Sequence, residues 1–175
     1  MEKWQTGDMN AFEALFRQYE KLVMANAYFI TGSREDAEEI VQEVFVSVWK
    51  SRHTFNPEKG KLSTWLHRIT VNKCLERGRQ KKPVSIPIEA VNLPDGDGVE
   101  EAAMNRDECK RVMSAVGSLD SKHRAVLVMR YFNELSYEEI ARSMDIPLGT
   151  VKSRINAAVK TLREQIGTHR GEASI

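Results

Sequence analysis

The sequence is short of cysteine, with only two among its 175 residues. Cys74 and Cys109 stand in unlike contexts and outside any CxxC or Cys/His ligand spacing, so no disulfide framework, metal site or cofactor is expected. No apolar run approaches the roughly 18 residues that span a bilayer, and no secretory signal opens the chain. These absences exclude a membrane-spanning or disulfide-stapled class and predict a cytoplasmic protein.

Residues suited to catalysis are also scarce. The four histidines are scattered along the chain: His53, His67, His123 and His169. No serine has a recognisable base and orienting partner, as an activated nucleophile requires. The sequence therefore predicts no enzyme and no small-molecule substrate.

The net charge of the chain is also small, at +1, because acidic and basic blocks of the sequence cancel each other. Residues 35–49 carry five acids and no base, whereas residues 61–82 carry seven bases against the single acid Glu76. Acids dominate again over 89–108, where only Arg106 opposes them, and the end of the chain turns basic. Blocks of opposite sign indicate partners of opposite sign.

Apolar residues recur at helical spacing through most of the chain, and no long alternating strand pattern appears. Helices are predicted over about 11–30, about 37–49 and about 62–79. The stretch that follows holds three of the five prolines and has no helical period, which is typical of a linker. The predicted fold class is all-α: two small helical domains, 1–82 and 105–175, joined by a flexible linker at 83–104, with a helix-turn-helix in the C-terminal domain.

The helix-turn-helix prediction depends on local signals near residue 140. Ser136 and Glu139 form a capping box, and Leu135 with Ile140 form a hydrophobic staple, so a short helix is expected from about Tyr137 to about Met144. After a turn through "DIP", a second helix restarts near Leu148. Its predicted buried stripe is Val151, Ile155, Ala158 and Leu162.

That second helix leaves Lys152, Ser153 and Asn156 facing outward together near its N-terminus, and no acid occurs between Asp145 and Glu164. A basic helix face is often only a solvated surface. Combined with the turn and the capped preceding helix, however, this one favours duplex DNA, because the second helix of such a pair enters the major groove.

The N-terminal half offers two candidate surfaces. "DAEEIVQEVFVSVW" places Asp36, Glu39 and Glu43 on one stripe with Gln42 beside them, either as solvated surface or as an interface. Next, "GKLSTWLHRITVNKCLERGRQKK" joins a loop to a helix whose outward basic residues can follow phosphates. Trp65 near the loop is expected to belong to the core.

Three stretches together resemble one family: "DAEEIVQEVFVSVW", "TWLHRITVNK" and "LSYEEIARSMDIPLGTVKSRI" are similar to the successive signatures of bacterial extracytoplasmic-function (ECF) sigma factors. These small sigma-70-type subunits direct RNA polymerase to promoters. The resemblance covers nearly the whole chain apart from the linker and the last residues. It implies core RNA polymerase, through the clamp of its largest subunit and the β flap, and promoter DNA as partners. It also implies an anti-sigma factor, which in relatives is often membrane-anchored.

The resemblance assigns roles by position. The residues implied in polymerase binding are Asp36, Glu39, Gln42 and Glu43, which are expected to be exposed. Those implied in binding and melting the minus 10 element are Gly60, Lys61, Leu62, Ser63, Arg68, Asn72 and Arg79. Those implied in reading the minus 35 element are Thr150, Lys152, Ser153, Arg154, Asn156 and Lys160. Ala157 and Val159 stand where family members often have arginines, so contacts to phosphates are expected to be fewer there.

Two hypotheses from other classes remain open at this stage. A stand-alone transcriptional regulator would bind a palindromic site by itself, whereas a sigma factor binds tightly only with core polymerase. An enzyme such as a recombinase with a C-terminal helix-turn-helix would need the activated nucleophile that the sequence does not offer.

Overall fold

The computed structural model describes residues 3–80, 112 and 114–171, and over these ranges it contains helices and no strand, which confirms the all-α class. The α-helices are α1 (Met9–Thr31), α2 (Arg34–Ser51), α3 (Leu62–Gln80), α4 (Ser121–Leu127), α5 (Tyr137–Met144) and α6 (Leu148–Gly171). Short 3₁₀ helices span Lys3–Thr6, Arg52–Thr54 and Pro57–Lys59, and a π-helix spans Val128–Phe132. The linker predicted at 83–104 lies outside the described residues.

Side chains and one glycine set the limits of the first two helices. The Asp8 carboxylate accepts hydrogen bonds from the backbone N–H groups of Asn10 and Ala11 at the start of α1. Gly32 ends α1 in the left-handed conformation (φ 76°), and its N–H donates to the Tyr28 carbonyl at 2.8 Å. Because a side chain is strained at this φ, glycine here ends the helix sharply. Ser33 then caps α2 by accepting from the Asp36 N–H.

The N-terminal module is a three-helix unit in which α1, α2 and α3 pack on one another. Its centre is apolar and fully buried, with Val23, Ile40, Val44, Leu66 and Val71 at 1% exposure or less. Each such side chain contributes about 1.5–3 kcal/mol by leaving water. This core holds the outward faces of α2 and α3 in fixed register.

The C-terminal module contains α4, the π-helix, α5 and α6. α5 has the bounds that the sequence predicts, and α6 starts at the predicted Leu148. The capping box is present: Ser136 accepts from the Glu139 N–H at 3.2 Å and the Glu139 carboxylate accepts from the Ser136 N–H at 2.8 Å. Asp145 follows in the left-handed conformation. Neither α4 nor the π-helix was predicted, because no periodic stretch or capping signal near 121–132 was singled out.

The two modules pack directly against each other, a feature that the sequence did not indicate. α4 lies against α1 and α3, and α5 lies against α3. Val126 and Met129, both fully buried, belong to the same apolar cluster as Leu66 and Val71 of the N-terminal module. We call this contact of α4, the π-helix and α5 with α1 and α3 the module interface.

Candidate nucleic-acid and polymerase interfaces

The outer face of α6 carries the predicted base-reading residues. Lys152, Ser153 and Asn156 are exposed, while Val151 and Ile155 behind them are 0% and 2% exposed. The Ser153 hydroxyl donates to the Thr150 carbonyl at 3.0 Å, which orients its oxygen as an acceptor. The outward polar trio is therefore exposed as predicted, and of the predicted buried stripe Val151, Ile155 and Ala158 are buried while Leu162 is only half-buried.

Three further predicted contacts on α6 differ in exposure. Thr150 and Arg154 are half-buried, and Lys160 is exposed, 3.9 Å from the Glu164 carboxylate. An exposed pair of this kind is worth well under about 1 kcal/mol, so Lys160 is available to a phosphate. Val159 packs partly buried against the module's apolar clusters, whereas Ala157 is exposed. Val159, one of the two positions that depart from the family pattern, therefore faces the protein interior.

The turn before α6 sets the angle at which that face is presented. The Ile146 N–H donates to the Ala141 carbonyl at 3.1 Å, and the Pro147 carbonyl accepts from Thr150 and Val151 at 2.9 and 3.2 Å. The first bond closes the end of α5 and the other two begin the first turn of α6. The two helices are therefore joined by one short turn, as in a helix-turn-helix.

In the N-terminal module, the loop before α3 begins at a glycine that its backbone requires. Gly60 has φ 155°, which L side chains rarely adopt, although nothing lies within 4 Å of where its Cβ would be. Lys61 is exposed, Leu62 and Ser63 are half-buried, and Leu62 packs against the core. Leu62 and Ser63 already belong to the first turn of α3, so the loop predicted at 60–63 ends at Lys61, and Leu62 anchors its end to the core.

Aromatic side chains support this loop from below. Trp65 lies with its ring centroid 5.5 Å from that of Phe55 and 6.1 Å from that of Trp4. It is half-buried and packs against the core cluster, in agreement with the core role predicted for it. Gln5 donates to the Phe55 carbonyl at 2.8 Å. The N-terminal 3₁₀ helix was missed by the sequence reasoning, although Trp4 in a polar segment is a signal that could have found it.

The outer face of α3 presents Arg68, Asn72 and Arg79, all exposed as predicted. Beneath them His67 is buried and its Nδ1 lies 2.9 Å from the Asn26 side-chain nitrogen. Burial lowers the pKa of His67 to about 4, so its ring is neutral at physiological pH. It fixes the rotation of α3 and adds no charge to the surface.

The acidic surface of α2 differs from its prediction in one respect. Gln42, Glu39 and Glu43 are exposed, but Asp36 is only 6% exposed, so the expectation that all four residues are exposed is wrong for Asp36. The cause is Arg77 of α3, which packs over the first turns of α2.

Arg77 contacts all three carboxylates of this surface. Its Nη1 lies 3.5 Å from Asp36 and also donates to Glu39, and its Nη2 donates to Glu43 at 3.0 Å. Lys73 stands 3.6 Å from the other oxygen of Glu43. The acids are thus partly neutralised and held in fixed positions by α3.

Other chemistry is not indicated over the described ranges. No cluster of three or more His, Cys, Asp or Glu side chains there could hold a metal ion. His53 is exposed and His123 lies beside the Asp120 carboxylate. In the same part of the chain, no helix is long and apolar enough to cross a membrane.

Two family models match the chain. The model for Sigma-70 region 2 matches residues 15–83, and that for Sigma-70 region 4 matches residues 115–164. The first match spans most of α1, then α2, the loop and α3, and the second spans α4 through most of α6.

Curated relatives give the same family. The chain is 31% identical over 171 residues to the ECF RNA polymerase sigma factor SigW of Bacillus subtilis, covering 91% of each chain. It is 32% identical to the ECF RNA polymerase sigma factor SigE of Mycolicibacterium smegmatis, covering 97% of this chain and 68% of the relative.

Two solved structures share the fold. One is CnrH in complex with the cytosolic domain of CnrY, at TM-score 0.65 and 24% identity, covering 94% of this chain and 92% of that one. The other is the sigma factor RpoE in complex with the anti-sigma factor NepR from Bartonella quintana, at TM-score 0.65 and 20% identity, covering 89% and 96%.

Proposed function

This chain belongs to the extracytoplasmic-function RNA polymerase sigma factors, which bind core polymerase and direct promoter-specific initiation, and on that premise we propose how its residues divide the task. Residues 1–82 act as region 2, which docks on polymerase and opens the minus 10 element. Residues 105–175 act as region 4, which reads the minus 35 element, and 83–104 connect them. The observation that carries this division is the pair of matched regions, each with an outward polar face.

Polymerase docking falls to the outer face of α2. Glu39, Gln42 and Glu43 are exposed together and Arg77 holds the two carboxylates in place, which reduces the side-chain entropy lost on binding. Asp36 is buried under Arg77 and contributes by holding that side chain in place. The counterpart is the clamp of the largest polymerase subunit, while region 4 contacts the β flap.

Opening of the minus 10 element falls to the loop and α3. Lys61, Arg68 and Arg79 are exposed bases that can hold the phosphates of a displaced strand. Asn72 and the loop 60–63 accept an unstacked base, whose extraction costs a few kcal/mol. Leu62 and Trp65 anchor the loop, so that the loop keeps its position when DNA binds.

Recognition of the minus 35 element falls to α6. Lys152, Ser153 and Asn156 face base edges in the major groove, while Arg154 and Lys160, with Thr150 at the start of the helix, contact the backbone. Support comes from their common exposure near the N-terminus of a helix whose other face is buried.

A regulatory partner is proposed on the strength of the structural neighbours. The B. quintana sigma factor was solved bound to an anti-sigma factor. We infer that this chain also has an anti-sigma factor, that it acts in the cytoplasm, and that a membrane-anchored form of that partner could hold it at the membrane. No catalytic role is assigned to this chain.

In vitro transcription tests the proposed function directly. Purified chain added to core polymerase should produce promoter-specific transcripts that core alone does not make. A stand-alone regulator would instead bind a palindromic site tightly without polymerase and would give no transcripts with core, and that result would reject the proposal.

A further inference from the structure

The N-terminal 3₁₀ helix, Lys3–Thr6, lies outside the matched part of the N-terminal module. The match to Sigma-70 region 2 begins at residue 15, so the likeness to that region assigns this helix no role. Its side chains are nevertheless deeply buried, with Trp4 at 4% and Gln5 at 6% exposure. Both of them contact the segment that connects α2 to α3.

Gln5 holds the backbone of that segment. Its Nε2 donates to the Arg52 carbonyl at 3.1 Å and to the Phe55 carbonyl at 2.8 Å. A side-chain amide nitrogen carries two hydrogens, so one amide serves both carbonyls. These two bonds fix the path of the chain directly after α2.

Trp4 packs against both ends of the loop that follows. Its ring centroid lies 6.0 Å from that of Phe55 and 6.1 Å from that of Trp65, and those two rings are 5.5 Å apart. Aromatic rings attract one another at such separations. Phe55 stands before the loop and Trp65 stands in the first turns of α3, so the indole of Trp4 holds the two ends of the loop together.

A glycine allows the 3₁₀ helix to reach the loop. Gly7 has φ 94°, a conformation that strains other residues. Its N–H donates to the Trp4 carbonyl at 3.2 Å, and the Asp8 N–H donates to the Lys3 carbonyl at 3.3 Å. The chain therefore turns back sharply between the 3₁₀ helix and α1.

The loop between these anchors is the one assigned to the unstacked base. It borders a cavity of about 480 Å³ that is lined by Phe55 and by residues 57–62. Inside the loop, the Asn56 side chain accepts from the Glu58 N–H at 2.9 Å, and the Lys59 N–H donates to the Asn56 carbonyl at 3.1 Å. Because these bonds are local to the loop, its placement on the module depends on the contacts at its two ends.

We propose that Trp4 and Gln5 are positioning residues for strand opening, which hold the loop before α3 in the shape that accepts an unstacked base without touching DNA themselves. This inference rests on the proposed function of that loop. A loop that is already ordered loses less conformational entropy when the base enters it. More of the binding free energy is then left to offset the cost of unstacking.

Limited proteolysis tests whether the two residues order the loop. Lys59 and Lys61 are exposed sites for trypsin, and cleavage follows the population of the opened segment. In Trp4→Ala and in Gln5→Ala, cleavage at these two lysines should become about ten-fold faster, which corresponds to about 1.4 kcal/mol. Cleavage at Lys152 on α6 should not change.

Transcription tests whether the ordered loop matters for opening. Both variants should lower transcription from closed duplex about ten-fold, and by less than about two-fold from a template mismatched at the minus 10 element. Recovery of core polymerase in a pull-down should equal that of the wild type, because α2 is unchanged. Trp4→Phe keeps an aromatic ring at this position and should restore most of the activity on closed duplex.

Phe16→Ala is the matched control for a general loss of stability. Phe16 is half-buried and packs on Phe45, with ring centroids 4.6 Å apart, between α1 and α2. This variant should also be less stable than the wild type, yet it should affect the two templates equally and leave cleavage at Lys59 and Lys61 as it is.

Unchanged cleavage of the loop in both Trp4→Ala and Gln5→Ala rejects the inference, and so does a loss of transcription that is equal on the two templates. If the wild type gives no transcripts with core polymerase, the proposed function fails instead. The proteolysis of the variants then still decides whether Trp4 and Gln5 hold the loop.

Discussion

Arg77 links two surfaces that the sequence treats as separate blocks of charge. It belongs to the basic segment 61–82, yet its guanidinium contacts Asp36, Glu39 and Glu43 on α2. One consequence is that the acids of α2 are unequal. Asp36 is buried beneath the guanidinium, while Glu39 and Glu43 keep 53% and 45% of their side chains exposed.

We expect charge reversal at Asp36 to damage the fold. Asp36→Lys places a second cation beside Arg77 in a buried site, and breaking a buried pair in this way costs about 3 kcal/mol or more. Gln42→Lys, on the exposed part of the same helix, should change stability by less than about 0.5 kcal/mol and still weaken polymerase binding. Urea denaturation followed by circular dichroism measures the first effect, and pull-down of core polymerase measures the second.

Equal stability of the two variants would show that Asp36 is not held by Arg77. Wild-type recovery of polymerase by Gln42→Lys would show that the outer face of α2 is only solvated surface.

On α6, the prediction separates base contacts from backbone contacts. Replacing Lys152 or Asn156 by alanine should relax discrimination at one base position by about 1–3 kcal/mol where the lost contact is bidentate. Lys160→Ala should instead weaken binding evenly across sequences and reduce its salt dependence. Binding to a randomised promoter library measures both, and an unchanged base preference in a Lys152→Ala, Asn156→Ala double variant would reject the assignment.

At the scale of helices and loops, the sequence predicted most where the signals are local. The limits of α5 follow from a capping box and a turn that lie within ten residues of each other, and both limits were predicted correctly. Burial of Asp36 depends on Arg77, 41 positions away, and the support of the loop depends on Trp4. Contacts between residues so far apart in sequence leave no local pattern. The sequence therefore located the candidate surfaces but did not show which residues of the protein support them.

The loop and α3 give a prediction about strand opening. Asn72→Ala should abolish transcription from closed duplex yet leave much of it on a template already mismatched at the minus 10 element, because the mismatch removes the few kcal/mol of unstacking that the residue is proposed to offset. Permanganate footprinting of unpaired thymines reports opening directly. Shortening the loop at 60–63 should have the same effect.

A matched control is available on the same helix. Glu76 is exposed one turn further along α3, and Glu76→Ala should not discriminate between the two templates. If Asn72→Ala opens ordinary duplex as well as the wild type does, or if the mismatched template gives no rescue, then this module is not the melting element.

For the whole molecule, the shared core makes one module depend on the other. A helical unit of about 70 residues buries a smaller fraction of its surface than a larger domain does and is only modestly stable alone. In this chain the C-terminal module completes its core against α1 and α3, through residues such as Val126 and Met129.

We therefore expect residues 105–175 to be less stable alone than in the full chain. Loss of the module interface should cost about 2 kcal/mol, a size that leaves an open state populated at a few per cent, and amide protection of Val151 and Ile155 should fall about 30-fold in the excised module. These two residues lie on α6 with side chains in the shared apolar core, so the exchange of their amides reports the stability of the module. A Cβ at Gly78 of α3 would meet the Ser121 Oγ at 2.8 Å, so Gly78→Leu should weaken the module interface. Hydrogen exchange of the full chain, of this variant and of the excised module measures the effect, with the variant expected between the other two. Equal protection in all three would mean that the module interface contributes no appreciable free energy to the stability of the C-terminal module.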